Sequence, residues 1–231
     1  MAAKNKFSRK MLFLNALQSF FAKYLAKQGN NLTWKSGNKI SNFEINRKIL
    51  HILFALVPIS LYYLPSFLIL PLVVIFAITA IVLDLTLKKI TLSGKMGNVF
   101  YRQSELSSAK KFSGSFWIAV SCIICVIFFN PSQYIPAMLA ISFCDTLASV
   151  VGQSYGKNRL FGTKKTIEGS MAFIFGVIPI QIILTIIGLK LNFVVLFFAI
   201  VFAAICELIT FMDDNLSVML AVCLFLALFA L

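Results

Sequence analysis

The chain has 231 residues, of which 60% are hydrophobic and only 13% are charged. Soluble domains average about 45–50% apolar and roughly 25% charged residues, so this composition excludes an ordinary soluble domain. Several stretches approach the roughly 20 apolar residues that a helix needs to cross a bilayer. The composition therefore predicts an all-α, polytopic transmembrane helix bundle without a separate soluble domain.

The formal net charge of +13 would suggest nucleic acid as a partner if the protein were soluble. In a membrane protein, basic residues accumulate on cytoplasmic loops and on surfaces that face anionic lipid. The sequence also lacks the interleaved aromatic and basic strands that are typical of RNA-binding proteins. We therefore expect membrane lipid as a partner and no nucleic acid.

The N-terminal part, residues 1–43, is basic, and the integral membrane domain that would carry any activity spans 44–231. Within the first part, residues 7–25 are apolar with a polar stripe at helical spacing. This pattern predicts an interfacial helix on the cytoplasmic leaflet.

Seven apolar runs follow, at about 49–64, 66–87, 115–129, 135–152, 169–188 and 191–210, and from 216 to the C-terminus. If the N-terminus is cytoplasmic, four polar segments lie on the cytoplasmic side: 1–48, 88–114, 153–168 and 211–215. In that order, they contain 10, 6, 4 and 0 basic residues. That is 20 of the 21 basic residues, and only Lys190 lies outside. This asymmetry predicts about seven spans with a cytoplasmic N-terminus.

Acidic residues inside a membrane are costly, which makes them functional candidates. Six acids and one histidine lie in or beside these runs: Asp84, Asp145, Glu168, Glu207, Asp213, Asp214 and His51. All seven are predicted to lie within about 10–12 Å of the cytoplasmic boundary. Asp145 lies deepest and has no basic residue within a helical turn. A purely structural role is the alternative for the others, such as an ion pair between Asp84 and Lys88.

The stretch from 144 to 170 combines a carboxylate, glycines and lysines ahead of a predicted helix. Magnesium-bound nucleotides are held by one or two carboxylates, and phosphates favour lysines and helix N-termini. Lys164 and Lys165 could instead be ordinary cytoplasmic flanking charges, but Asp145 and Glu168 beside them favour a site for a nucleoside triphosphate with Mg²⁺.

These residues resemble the membrane kinases that phosphorylate isoprenoid alcohols with CTP, the dolichol and phytol kinases and their compact bacterial relatives. The chain matches that family's Asp-x-x-Ala-x-x-x-Gly-x-x-x-Gly and Lys-Lys-Thr-x-Glu-Gly elements at Asp145, Ala148, Gly152, Gly156, Lys164, Lys165, Thr166, Glu168 and Gly169. Two further matches are an Arg-Lys-x-x-His element ending at His51 and a late Glu207 followed by Asp214 and Asn215. Cys144 and Met219 stand where the family usually has Gly and Pro.

The resemblance implies transfer of the γ-phosphate of CTP to the hydroxyl of a polyprenol, dolichol or phytol. It implies metal binding by Asp145 and Asp214, phosphate binding by Lys164 and Lys165, and a supporting role for Glu168. Five more residues would contact the nucleotide: Gly152, Gly156, Thr166, Gly169 and Asn215. The candidates to accept the alcohol proton are His51, Asp84 and Glu207.

The enzyme would then lie in the bacterial inner membrane with its active site facing the cytoplasm, and a homo-oligomer stays open. Two alternatives remain at this point. A phosphatidate cytidylyltransferase shares a related nucleotide element but transfers CMP and releases pyrophosphate. An ion-coupled carrier would use the acids as a cation pathway, which would require polar residues in the outer half as well.

Overall fold

The computed structural model of the protein describes residues 42–92, 114–160, 163, 165–209 and 213–229. Regular structure in these ranges is helical, and one isolated β-bridge joins Arg159 to Thr166. The predicted all-α class is confirmed for this part of the chain. The predicted interfacial helix at 7–25, most of the predicted polar segment 88–114 and Lys164 lie outside the described residues.

The described helices overlap the predicted apolar runs. In chain order they are α1 Asn42–Leu53, α2 Leu56–Tyr63, α3 Ser66–Leu92, α4 Gly114–Phe128, α5 Pro131–Ala140, a π-helical turn Ile141–Asp145, α6 Thr146–Tyr155, α7 Ile167–Phe175, α8 Val177–Ile187, α9 Phe193–Ile209 and α10 Asp214–Phe229. Helix α1 begins before the predicted start at 49, and α5 begins before the predicted start at 135. The helices α5 and α6 continue each other through the π-helical turn.

Two of the predicted runs are interrupted, and prolines explain both breaks. Proline has no N–H to donate to the carbonyl four residues earlier, and its ring crowds that carbonyl. Pro58 therefore weakens the helix at Phe54, where α1 ends and α2 begins. Pro179 does the same at Phe175, where α7 gives way to α8. Pro71 in α3 and Pro136 in α5 lie inside unbroken helices, so the sequence indicates where a break is favourable but does not fix which proline makes one.

Helix α5 lies at the centre of the bundle. All its residues from Tyr134 to Ala140 are buried, as expected for a helix that is apolar on every side. The neighbouring α10 is also buried over most of its length, including Val218, Val222 and Leu226. The other helices pack around this pair.

The break between α7 and α8 packs tightly against the π-helical turn. A β-carbon added at Gly176 would lie 2.6 Å from the Sγ atom of Cys144 and 2.8 Å from its Cα atom. Two of these clashes are with backbone atoms, Cys144 Cα and the Phe173 carbonyl oxygen at 2.9 Å, so glycine fits at position 176 whatever side chain position 144 carries.

Gly176→Ala is expected to destabilise the protein by about 1–3 kcal/mol, because the added methyl group overpacks the site. Combining it with Cys144→Gly should restore part of that loss, because this substitution removes the thiol from the contact while the contact with the Cα atom remains. The measurement is equilibrium unfolding of both single variants and the double variant in mixed micelles. Additive effects of the two substitutions would contradict this contact.

Polar helix ends gather at one end of the bundle, which we call the polar end. Asn215, in the first turn of α10, donates to the Gly114 carbonyl oxygen at the start of α4, at 3.3 Å. The loop between α6 and α7 reaches the same end through Lys165, which pairs with Asp214. At the opposite end, Gly188 closes α8 in the left-handed conformation, close to the Tyr62 hydroxyl.

The outer surface of the bundle is strongly apolar. Large side chains on α3 and α8 are exposed, including Phe67, Ile75, Ile182 and Ile186. Monomeric soluble proteins rarely expose apolar patches of this extent. Among the described residues, two helical stretches are long and apolar enough to cross a membrane: Pro131–Tyr155, which joins α5 to α6 over 25 residues, and Ile167–Ile187, which joins α7 to α8 over 21. Five shorter apolar helices accompany them in the same part of the chain.

Candidate functional site

The first cluster at the polar end is built around Lys165. Its Nζ atom lies 2.9 Å from Asp214 Oδ2 and also bonds Glu207 Oε1, so one ammonium bridges two carboxylates from α9 and α10. Burial alone would lower the pKa of Lys165, but the two carboxylates raise it above its usual value. Lys165 therefore remains positively charged at neutral pH.

The second cluster joins α1 to the π-helical turn. Lys48 Nζ donates to Asp145 Oδ2 at 2.6 Å and to the Asp145 main-chain oxygen at 3.2 Å. His51 Nδ1 lies 3.4 Å from the same Oδ2 atom, an ion-pair distance without hydrogen-bond alignment. Asp145, which has no basic neighbour in sequence, thus acquires two from a helix about a hundred residues earlier.

The two clusters form one site that closes toward the bundle interior. The exposed fraction of the side chain is 51% for Asp214, 26% for Lys165 and 18% for Asp145, and it falls to 4% for Lys48. Asp145 precedes the end of α6 at Tyr155 by ten residues, about 15 Å along the helix. The exposed fractions of these side chains therefore fall from the polar end of the bundle toward its interior.

Asp213 and Asn215 shape the open end of the site. The Asp213 carboxylate accepts from the Asn215 main-chain N–H at 3.0 Å and from its side chain at 2.9 Å, an arrangement that caps α10. Burial raises the pKa of Asp213 to about 6 against the lowering effect of these bonds, and the charges of Asp214 and Asp145 add to the rise. The charge of Asp145 thus acts on the open end of the site.

The predicted nucleotide-contacting glycines lie where α6 and α7 pack together. A β-carbon at Gly169 would lie 3.2 Å from Gly152 Cα, and one at Gly156 would lie 2.6 Å from Thr166 Cγ2. Thr166 is buried, and its Oγ1 atom accepts from the Gly169 N–H at 3.1 Å as the N-cap of α7. Close packing of two helices therefore accounts for these residues in the structure, independently of any ligand.

Glu168 lies on the exposed first turn of α7 and faces the preceding loop. Its carboxylate accepts from the main-chain and side-chain nitrogens of Asn158 at 3.4 Å. It thus supports the loop that carries Lys165, and it contacts neither lysine cluster. The side chain of Asp84 and all of Lys164 lie outside the described residues.

The donor set can be tested for magnesium. Among the described residues, no three His, Cys, Asp or Glu side chains form a group that could hold a metal ion. Mg²⁺ that arrives with a nucleotide needs only one or two carboxylates, and the half-exposed Asp214 fits that requirement. Asp145 fits it less well, because the Lys48 ammonium already lies 2.6 Å from Oδ2.

Comparison with protein-family models, with curated proteins and with solved structures finds no match. The resemblance to isoprenoid alcohol kinases therefore rests on the residues quoted above, and the function must be argued from the site itself.

The sequence interpretation passed over two buried polar residues of the site. Lys48 was read only as part of a motif, because a lysine at the start of an apolar run ordinarily extends toward water and gives no signal of an inward position. Thr146, directly after Asp145, is 6% exposed, and its Oγ1 atom has no hydrogen-bond partner among the described residues. Asp213 was noted as an acid but not as the cap of α10, although an Asp-Asp pair before a helix favours that role.

Proposed function

We propose that this chain is an integral membrane phosphotransferase, which transfers the terminal phosphate of a nucleoside triphosphate to the hydroxyl of an isoprenoid alcohol. The observation that carries the proposal is the meeting of Lys165, Glu207, Asp214, Asp145, Lys48 and His51 at one end of an apolar bundle. Catalysis of phosphoryl transfer is mostly positioning and charge stabilisation, which such a site supplies.

The membrane setting of the proposal combines composition with the fold. We take the two long helical stretches and the five shorter apolar helices as seven membrane spans. The basic segments between them would be cytoplasmic, and so would the N-terminus. The polar end would then face the cytoplasm, where nucleotides are available. Bacterial inner membrane is the corresponding location, and the exposed apolar faces of the helices would contact lipid.

On the donor side, Lys165 is the described residue best suited to bind phosphate oxygens. It is charged, partly exposed and already held between two acids. Asp214 would hold the magnesium ion, which neutralises the charge that develops on the phosphates. Glu207 would keep Lys165 oriented after Asp214 turns to the metal. CTP as the donor follows from the motif resemblance.

The acceptor alcohol carries a long apolar chain with one polar end. Such a molecule would lie among the apolar helices with its hydroxyl at the polar end, near His51. His51 is the base candidate that the site supports best, because it is buried and its Nδ1 atom lies 3.4 Å from the Asp145 carboxylate, which leaves Nε2 for the alcohol.

The proposal predicts that the purified protein, supplied with Mg²⁺ and γ-labelled CTP, places the label on a polyprenol, dolichol or phytol. A panel of alcohols and of phosphatidate, assayed with both CTP and ATP, checks this. Label found only in pyrophosphate, together with a CDP-lipid product, would replace the kinase by a cytidylyltransferase. Absence of labelled lipid with every donor and acceptor would contradict the proposal.

A further inference from the structure

Lys48 is the charged residue of the site to which the proposed function gives no role. It is 3% exposed, and its ammonium donates to both the main-chain oxygen and the carboxylate of Asp145. A lysine near the end of a membrane helix normally extends its ammonium toward water. Burying it instead costs several kcal/mol that only a well-formed ion pair offsets. An inward-facing lysine of this kind suggests a role in the site.

The π-helical turn presents the partner of Lys48. Such turns are rare insertions in α-helices and occur frequently at functional sites. Here the turn Ile141–Asp145 ends on the aspartate, and Lys48 bonds both its main-chain oxygen and its carboxylate. Two contacts to one residue fix the backbone and the side chain together, so the Asp145 carboxylate has little freedom to turn toward other ligands.

His51 lies one helical turn after Lys48, on the same face of α1. The same carboxylate oxygen, Oδ2, lies 2.6 Å from Lys48 Nζ and 3.4 Å from His51 Nδ1. A carboxylate at Nδ1 sets the tautomer and the orientation of an imidazole and leaves Nε2 for chemistry. Contacts of this kind are commonly long until substrate binds.

We propose that Lys48 is a positioning residue for the acceptor half of the reaction, holding Asp145 so that Asp145 orients His51 toward the hydroxyl of the lipid alcohol. The inference rests on the proposed function and deepens it. It assigns Asp145 to the acceptor side and leaves the phosphate side to Lys165 and Asp214.

The proton and bond balance of the step is complete. His51 Nε2 accepts the hydroxyl proton while the alcohol oxygen forms its bond to the terminal phosphorus. The bond from that phosphorus to the bridging oxygen breaks, and its electrons leave with the nucleoside diphosphate. The imidazolium then returns its proton to water. Lys48 and Asp145 exchange no proton in this scheme.

The test compares kcat and KM of the full-length protein for nucleotide and for alcohol. Lys48→Met is expected to lower kcat by about 100-fold, because a small misplacement of a catalytic group has an effect of that size. The KM for nucleotide should not change. Lys48→Arg should recover part of the activity, since a guanidinium also donates to two oxygens. Lys190→Met, on the predicted outer side, serves as the control lysine.

Lys48→Met alone leaves a carboxylate without its cation and could fail to fold. The double variant Lys48→Met/Asp145→Asn removes both charges, and it should unfold like the wild type while transferring phosphate as slowly as Lys48→Met. His51→Gln should show a similar loss, and adding Lys48→Met to it should cause no further loss, because both act through one imidazole. A purely structural role for Lys48 would not produce this non-additivity.

Three results would overturn the inference: a wild-type kcat in Lys48→Met or in the double variant, losses that multiply in Lys48→Met/His51→Gln, or a raised nucleotide KM with unchanged kcat. The last of these would place Lys48 at the phosphates. If the wild-type protein itself labels no alcohol with any nucleotide, the proposed function fails and the inference falls with it. If the wild type transfers label and Lys48→Met does so equally well, the inference alone fails.

Discussion

Lys165→Met is expected to abolish phosphate transfer and to destabilise the protein by about 3–5 kcal/mol. The substitution removes the cation from two carboxylates of different exposure. Glu207 has a side chain that is only 7% exposed, and Asp214 has one that is 51% exposed. An exposed ion pair contributes about 0–1 kcal/mol, so the loss of stability comes mainly from Glu207, which is left buried without its partner.

A double variant separates the stability effect from the catalytic one. Lys165→Met/Glu207→Gln removes both members of the buried pair and should recover most of the lost stability. It should still transfer phosphate at least about 100-fold more slowly than the wild type, because the cation that would stabilise the phosphates is gone. Equilibrium unfolding in mixed micelles and transfer of label from γ-labelled CTP provide the two measurements.

Lys190→Met is the matched control, since Lys190 is exposed and lies in the short loop between α8 and α9, away from the polar end. It should leave stability and transfer unchanged. Wild-type transfer by the double variant would remove Lys165 from the phosphate site. A Lys165→Met protein as stable as the wild type would show that the buried pair with Glu207 contributes little to the fold.

Hydropathy alone predicts where the helices of this protein lie. The apolar runs at 115–129 and 191–210 differ from α4 and α9 by one or two residues at each end. A helix in this bundle needs only a local run of apolar residues, and such a run can be read directly from the sequence. The breaks at Pro58 and Pro179 have the same local cause, the missing proline N–H, but Pro71 and Pro136 lie in unbroken helices, so that cause alone does not predict a break.

The arrangement of the site was predictable only in part. The positive-inside count predicted that the polar residues share one end of the bundle, and in the described part of the chain Asp145, Lys165, Glu207 and Asp214 come together there. Which lysine pairs with which acid was not predictable. The pair Lys48–Asp145 spans 97 positions, and periodicity does not state which helices become neighbours.

The glycines show how a motif can have a second cause. Spacing and composition suggested that Gly152 and Gly156 let the backbone approach a phosphate. The structure brings Gly152, Gly169 and Thr166 into contact across the α6–α7 pair. A glycine in a sequence pattern indicates that there is no room for a side chain at that position. The pattern does not show whether a ligand or another helix occupies the space, and only the fold distinguishes these two causes.

Asp145→Asn is expected to abolish nucleotide turnover and to destabilise the protein by about 3–5 kcal/mol. The amide keeps the shape of the side chain but removes the negative charge that lies 2.6 Å from the buried Lys48 ammonium. It also removes the carboxylate that faces His51 Nδ1, so the imidazole loses its orientation. Unfolding in mixed micelles and turnover of labelled CTP check the two effects.

Ser142→Ala is the control for disturbance of the π-helical turn, because Ser142 lies in the same turn and is fully buried. Its only described bond is a 3.4 Å contact to the Met138 carbonyl oxygen, so its loss should cost about 1 kcal/mol or less and leave turnover intact.

Asp145→Asn with retained turnover but lost ion flux in liposomes would favour the carrier, since a cation pathway needs the charge of Asp145 and a kinase needs it for chemistry. Loss of turnover in Asp145→Asn but not in Ser142→Ala would instead tie the charge of the aspartate, rather than the shape of the turn, to the reaction.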